Sequence, residues 1–490
     1  MIELPAEGIS GEKLELYLET KVFPVLKAER ERLTDLDHWT RCEQNVPKLT
    51  ARAENAERKI LQELSRKPWM GLMVNTFAQQ LIVDGYRESG SKEDAKGWET
   101  WQRNEMGKQQ FALNRAVITF GYAFMKVTDG KDPITGDQMA RMKAITPMNC
   151  LAIYEDSYLD EWAKYVLEKQ PNGDYWWWDD DQYTILKFKQ DKFTVVDVVE
   201  HEYGLVPFIR YANTLDLDGR CTGDVEPLIT VAREMDKTKL DILLVQHHQS
   251  FMIRYGTGLQ MPDGEDTEKE KIRIAQESFL VSANKDAKFG SLPASPLDGL
   301  LEAYKASLSE FLALAQLPPY VAGQIVNVAA DALAGGTRQT MQKLTEKQAM
   351  WKSGHNQTMR LVNIIEDRVA DANNIAFSIH WQDTTIQSLA QFADAWGKMV
   401  QMLKVPAEGV WDMIPNVDQS IVDGWHEIYD SQPGGFDKYM RTMQEAGTAG
   451  RGGAAGMDPR GGPTSGQSMQ RVNNKTGNPR SMNKQAPGAR

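Results

Sequence analysis

The sequence predicts an α+β fold in which long helices flank a block of short antiparallel strands. Residues 13–36 and 51–83, and two long stretches after 224, repeat apolar side chains every three to four positions, the period of a helix face. Between 142 and 211 the pattern changes to short runs, KAITPMNCLAIYED, EWAKYVLE, DYWWWDDDQYTILKFKQ and KFTVVDVVEHEY, parted by turn residues such as Pro171-Asn172-Gly173-Asp174. The length of 490 residues, with 41% hydrophobic and 25% charged residues, suits a globular chain of several folding units. Thirteen Trp point to an aromatic core.

Along the chain, the 98–130 segment begins as a helix and ends in a strand over Ala123–Val127, started by Gly121. After the strand block, Asp224–Phe251 places Leu228, Val231, Met235, Ile242 and Val245 on one stripe, a helix of roughly 40 Å. A charged island follows. It reads as a strand (Phe251–Tyr255), a short helix (268–277) and a strand (Phe279–Ala283), too little to bury a core alone. A second helix is expected from Ser295 as N-cap and Pro296 at the first helical position. It carries Leu300, Tyr304, Leu308, Phe311 and Leu312 and stops at Pro318-Pro319.

The stretch LPPYVAGQIVNVAADALAGG (317–336) then spends about a dozen small, uncharged residues where a tight turn needs two to five. A third helix is expected from about Thr337 to Ala370. Its stripe, Met341, Leu344, Gln348, Trp351, His355, Thr358, Val362, Ile365 and Val369, is too polar for a dimeric coiled coil, so Gln348 and His355 need partners and the helix is expected to pack on a sheet and a neighbouring subunit. Ile375–Trp381 alternates as a strand, and 386–440 returns to helices broken at Pro406 and Pro415.

The formal net charge is −12. Residues 446–490 hold seven Lys or Arg, one Asp and ten Gly, so they read as a disordered basic tail of +6 and leave −18 on the rest. Such an acidic body suits a surface past which DNA moves without sticking better than one that grips phosphates. No apolar run reaches ~18 residues, so no membrane span is expected. The N-terminus lacks a basic stretch followed by an apolar one, so no secretory signal is expected either. Cys42, Cys150 and Cys221 form no CxxC pair and are expected as buried apolar residues in a reducing compartment.

Catalytic signals are weak. Gly85–Lys92 has Ser and Lys in the wrong order for a phosphate loop. His247 and His248, adjacent on a helix, point about 100° apart and cannot chelate one metal. Asp179-Asp180-Asp181 after Trp176-Trp177-Trp178 is the most conspicuous candidate for a metal-dependent nuclease. Two-metal chemistry, however, draws carboxylates from separate elements, whereas three in a hairpin turn splay outward.

Several of these stretches, taken in order, resemble the portal proteins of tailed bacteriophages, of the siphophage type. KPWMGLMVNTFAQQLIVDGYR (67–87) resembles an early family helix that leads into a short turn. Trp101-Gln102 with Asn104, then Val117–Val127, is similar to the next helix and strand. GLVPFIRYANTLDLDGRCTGDVEPLI (204–229) resembles the approach to the first stem helix. LPPYVAGQIVNVAADALAGG resembles the tunnel loop and the start of a long helix. TTIQSLAQFADAWGKMVQML (384–403) resembles the helix entering the crown. Two departures stand out: Ala330 replaces the usual Ser before Asp331, and Gly335-Gly336 replaces helix formers.

The resemblance implies a portal fold: a wing of helices plus antiparallel sheet (1–223), stem helices (224–255 and 297–318) around a small α/β clip (256–296), and a tunnel loop (319–336). A long kinked helix and strand (337–383) return to the wing before a helical crown (384–445) and the tail (446–490). It implies a dodecameric ring at a capsid vertex of the virion, assembled in the host cytoplasm, with no enzymatic activity and no cofactor. Double-stranded DNA would pass without sequence-specific binding along Val321, Ala322, Gly323, Gln324, Asn327 and Val328. The clip residues Glu268, Lys269, Lys271, Arg273, Lys285 and Lys288 would meet the large terminase subunit and later a head-completion adaptor. Major capsid and scaffolding proteins are the other implied partners. A metal-dependent nucleic-acid enzyme and a non-portal minor head or adaptor protein are the alternatives.

Overall fold

The computed structural model describes residues 3–5, 8–47, 56–88, 91, 93–132, 134–201, 203–250, 254–257, 288–291, 297–323, 330–382, 389–403, 408–411, 414, 422, 424–426 and 428. Contacts divide the chain into two units, 1–384 and 385–490. The first opens with α1 (Gly11–Tyr17), which runs through a π-helical turn (Leu18–Val22) into α2 (Phe23–Arg41). α2 outlasts the expected residue 36 and ends at Cys42, whose φ is +62°. There Glu43 N–H returns to the His38 carbonyl at 2.7 Å, a left-handed helix terminus built without glycine.

The helical pattern over 51–83 resolves into α3 (Ala56–Ser65) and α4 (Trp69–Ala78), interrupted at Pro68. Its last residue, Val83, belongs instead to β1 (Val83–Glu88). α5 (Gly97–Arg103) and α6 (Met106–Phe120) follow. Gly121, at φ +94°, turns α6 directly into β2 (Tyr122–Lys131). Beyond them lie β3 (Gln138–Ile145), β4 (Cys150–Ile153), β5 (Tyr165–Lys169), β6 (Tyr175–Trp178), β7 (Gln182–Lys189), β8 (Lys192–Glu200) and β9 (Phe208–Ala212).

The expected meander is present. β4-β5-β6-β7-β8 is a five-stranded sheet in sequence order, every pair antiparallel. One face is covered by Leu14, Leu18, Val22 and Leu26 of the first helices, packed on Tyr165, Leu167, Tyr175, Trp177 and Phe193. On the other face Trp178 and Val166 meet Phe124 and Phe208 of a second sheet, β3-β2-β9. Inside that contact Lys126 Nζ lies 2.8 Å from Glu168 and 4.3 Å above the Trp178 ring.

Sheet edges are closed by side chains. Asn104 Nδ2 donates to the Ala140 carbonyl (2.8 Å) while its Oδ1 accepts from Met142 N–H (3.0 Å), and Glu366 accepts from Ala140 N–H (2.9 Å). On β8, Phe193 and Val195 N–H donate to Glu19 (3.0 Å) and Glu15 (2.7 Å). These groups stand in for missing strands and leave the edges unavailable for pairing.

After β9 a 3-10 turn (Glu226–Leu228) leads into α7 (Ile229–Ser250). β10 (Arg254–Thr257) and β11 (Lys288–Ser291) form an antiparallel ribbon. β11 was not expected, because Lys-Phe-Gly-Ser offers no alternating run; the expected helix 268–277 and strand Phe279–Ala283 lie outside the described residues.

The second helix, α8 (Asp298–Leu314), has Leu297 at its N-cap position rather than Ser295. It stops before the prolines, because Gln316 adopts φ +58° and Leu317 N–H returns to the Leu312 carbonyl at 2.8 Å. A 3-10 turn (Pro319–Ala322) follows. The long helix α9 (Ala330–Ile365) starts seven residues before the expected Thr337, so Gly335-Gly336 lie within it. Two glycines cost roughly 1 kcal/mol each against Ala, a penalty that 36 continuous residues absorb. α9 ends at Ile365 rather than Ala370, with Asp367 at φ +56°. α10 (Val369–Asn373) and β12 (Phe377–Trp381) close the unit, β12 pairing with β1.

In the second unit the described helices are α11 (Leu389–Leu403) and α12 (Glu408–Trp411). Residues 446–490 lie outside the described residues. Of the cysteines only Cys150 is buried; Cys42 and Cys221 are half-buried. Cys42 occupies a helix terminus and Cys221 a bridge to Leu215, so neither reaches the core.

Candidate functional site

The elements with most to say about function are α7, α8, the ribbon between them and the turn that leads to α9. α7 and α8 are antiparallel neighbours, since Glu234 meets Ser307 (2.8 Å) and Lys239 lies over the Tyr304 ring further along. Val231, Ala232 and Met235 on α7 share the main core with Leu308, Phe311 and Leu312 on α8. Trp69 Nε1 donates to Tyr304 Oη at 3.1 Å and ties the pair to α4. α8 carries this apolar stripe on one face only; Leu301 and Leu314 stay exposed.

The root of α7 is held by a buried charge cluster. Asp224 lies 2.9 Å from Lys347 and 3.2 Å from Lys343 on α9, and accepts from Asn213 Nδ2 at 2.9 Å. Lys347 also donates to Asn213 Oδ1. Burial alone would raise the Asp224 carboxyl, but the two ammonium groups outweigh it and hold the carboxyl below its ordinary range. Burial pushes Lys347 down against the pull of Asp224. Gly121 and Gly223 make the approach possible, because a Cβ on Gly223 would lie 2.4 Å from the Thr119 carbonyl oxygen.

α9 lies against β9, with Gly354 facing the Tyr211 ring. His355 Nδ1 and Thr358 Oγ1 stand 3.0 and 2.8 Å from Tyr211 Oη. Thr358 donates to Gly354 O, so its oxygen accepts from Tyr211, whose own oxygen accepts from His355 Nδ1. Burial drives His355 down to about 3. His355 and Thr358, two of the polar positions of the long stripe, thus find partners within the chain. Neither this triad nor the Asp224 cluster was recognised from sequence. The available signal was Lys343 and Lys347, four apart on an otherwise apolar face.

Of the residues implied for the channel, Val321, Ala322 and Gly323 are described. Val321 closes a turn with its N–H 3.1 Å from the Pro318 carbonyl, and Ala322 packs against the main core. Gly323 takes φ +76°, with nothing within 4 Å of a built Cβ, so the backbone conformation and not space calls for glycine there. Gln324, Asn327 and Val328 lie outside the described residues. Of the implied clip contacts, Lys288 opens β11 opposite Thr257; Glu268, Lys269, Lys271, Arg273 and Lys285 also lie outside them.

The acidic turn between β6 and β7 is otherwise engaged. Asp179 Oδ1 accepts from Asp181 and Gln182 N–H at 3.1 and 2.8 Å, and Asp180 pairs with Lys164 at 3.0 Å. Among the described residues no group of three or more His, Cys, Asp or Glu is placed to hold a metal ion.

A two-helix unit carrying a ribbon, set on a mixed helix and antiparallel-sheet body, is the pattern of a phage portal protein. The chain belongs to that family: residues 21–431 match the phage portal proteins described as SPP1 Gp6-like. No curated protein matches the chain. Among solved structures, a chain of the virion of a native gene transfer agent particle is similar at TM-score 0.39 and 9% identity, over 72% of this chain and 90% of that one. A chain from the neck of an empty gene transfer agent particle is similar at 0.40 and 9%, over 78% and 93%.

Proposed function

We propose that the chain is the repeating subunit of a ring at one capsid vertex, through which double-stranded genomic DNA enters and leaves the particle. The family match over 21–431 carries this reading. The helix pair supports it: Leu301 and Leu314 of α8 stay exposed, and a two-stranded ribbon is marginal without neighbours, so both gain from adjacent subunits. The ring is dodecameric and acts as conduit rather than motor. Its β10–β11 end receives the large terminase subunit and then a head-completion adaptor, and its body meets the major capsid and scaffolding proteins.

Electron microscopy of the purified protein in negative stain, with mass photometry alongside, tests the architecture. Twelve subunits of 55.3 kDa give annular particles of about 660 kDa with a central hole. Compact particles without a hole at every concentration and in the presence of capsid protein count against the ring.

A further inference from the structure

From the distribution of unpaired cations we infer that the turn end of the five-stranded sheet is a docking surface for an acidic, flexible protein segment. The β5–β6 turn (170–174), the β7–β8 turn (190–191) and the β3–β4 connection (146–149) meet at this end, as the pairs Cys150–Glu168, Lys169–Tyr175 and Lys189–Lys192 require. Five lysines gather here: Lys143, Lys169, Lys187, Lys189 and Lys192. No carboxylate among the described residues lies within ion-pair distance of any of them. Elsewhere some lysines find partners, as in Lys126–Glu168, Lys164–Asp180 and Lys347–Asp224, while others such as Lys96, Lys131 and Lys305 do not among the described residues, so the grouping of five at one sheet end and not the lack of pairing marks this surface.

A recess of about 360 Å3 opens between the β3 and β5 ends, lined by Lys143, Thr146, Asn149, Glu168, Lys169 and Gln170. Its donors are free. Gln170 Nε2 is shielded from solvent and has no hydrogen-bond acceptor. The one buried acid of the wall, Glu168, is spent on Lys126 (2.8 Å) and Trp178 Nε1 (3.2 Å). The site therefore offers two ammonium groups and a shielded amide N–H, which suits a carboxylate.

Strand alternation sends Lys187 and Lys189 to the face opposite Leu186 and Phe188, which pack toward α1 and α2, and so extends the basic surface away from the helices. Besides Glu168, three acids share this end. Asp174 accepts from Asn172, Asp191 sits in the β7–β8 turn at φ +59°, and Glu19 accepts from Phe193 N–H beside Lys192. With Glu168 spent on Lys126, five ammonium groups against these three leave a local excess on a chain of net charge −12, and an acidic partner relieves their mutual repulsion. A DNA duplex fits less well. Its phosphates lie on a stiff cylinder and cannot enter a recess to reach Gln170, whereas a single extended chain can. The assignment rests on the first unit alone and does not depend on the channel reading.

Fluorescence anisotropy of the full-length protein with a fluorescein-labelled oligoglutamate peptide tests the assignment, with an unlabelled short DNA duplex as competitor. We expect saturable binding that weakens with salt. Lys143→Ala/Lys169→Ala should weaken it at least ten-fold, and Gln170→Glu, which places a like charge in the recess, several-fold. Unchanged thermal melting of the variants shows that they fold, and unchanged particle mass separates the result from any failure of ring assembly. Peptide affinity indifferent to both variants overturns the proposal. So does competition by the duplex at lower concentration than unlabelled peptide.

Discussion

Asp236 shows how one side chain couples the first helices to α7. Its carboxylate accepts from the buried Gln44 Nε2 at 2.8 Å, beside a cavity lined by Asp35, Trp39, Arg233 and Lys237. Burial raises the carboxyl to about 6, against the lowering influence of Gln44, the Lys67 backbone N–H, Arg66 and Lys67. Because the folded value lies above the ~3.9 of an unfolded Asp, the stability linked to the proton is complete below about pH 4 and is lost as pH rises through about 6. Asp236→Asn, which keeps an acceptor for Gln44, should therefore raise Tm at about pH 7.5 and leave it unchanged at about pH 4. A pH-independent difference in calorimetry would refute the burial account. Lys347 poses the opposite problem, since removing it leaves Asp224 buried with Lys343 alone. Lys347→Ala should cost about 3–5 kcal/mol in chemical denaturation, and the double change Lys347→Met/Asp224→Asn less, since the buried carboxylate is gone and Lys343, less buried than Lys347, keeps the Ala315 carbonyl.

Among the elements, edge closure and helix termination share a theme: side chains and left-handed residues do what backbone partners and glycine do elsewhere. Asn104 gives β3 a donor and an acceptor in the pattern of a neighbouring strand, and adds a third bond to the Thr100 carbonyl at 2.8 Å. Asn104→Ala would leave the Ala140 carbonyl and the Met142 N–H with unmet hydrogen-bonding capacity inside the protein, at a cost of about 2–4 kcal/mol. Urea unfolding checks the figure, and a cost below about 0.5 kcal/mol would mean that water replaces the amide. α2, α8 and α9 all end on a left-handed residue that is not glycine, Cys42, Gln316 and Asp367, each followed by an N–H that returns to the carbonyl five residues back. This explains why their ends were misjudged. The prolines after α8 and the paired glycines in α9 were the visible punctuation, but α8 ends at Leu314, four residues before Pro318, and α9 runs through its glycines.

At the scale of the whole molecule, the charge distribution follows the proposed task. An acidic chain reduces adhesion to DNA, and the segment implied to face the channel, from Val321 to Val328, contains no charged residue. Gln324→Lys/Asn327→Lys should leave particle mass unchanged and slow DNA packaging several-fold in a reconstituted reaction, with partial recovery at higher salt as each new phosphate contact weakens. Packaging at the original rate would argue against a channel-facing turn. The first part of that turn is not a free loop: Pro319–Ala322 is a 3-10 turn with Ala322 on the core.

By itself the sequence determined the class of fold, the strand meander, the pairing of two long helices around a charged island and the family. Each of these rests on periodicity or on an ordered series of local patterns that one dimension records. The tertiary structure decided where helices end, which strand closes the ribbon and how buried charge is neutralised. It also decided which cations stay unpaired. Asp224 and Lys347 lie 123 positions apart, as do many partners that give a buried polar group its meaning, and no local pattern carries that distance. Hydrogen bonds and ion pairs act over a few ångströms in space, so their consequences become legible only once the chain has brought such residues together.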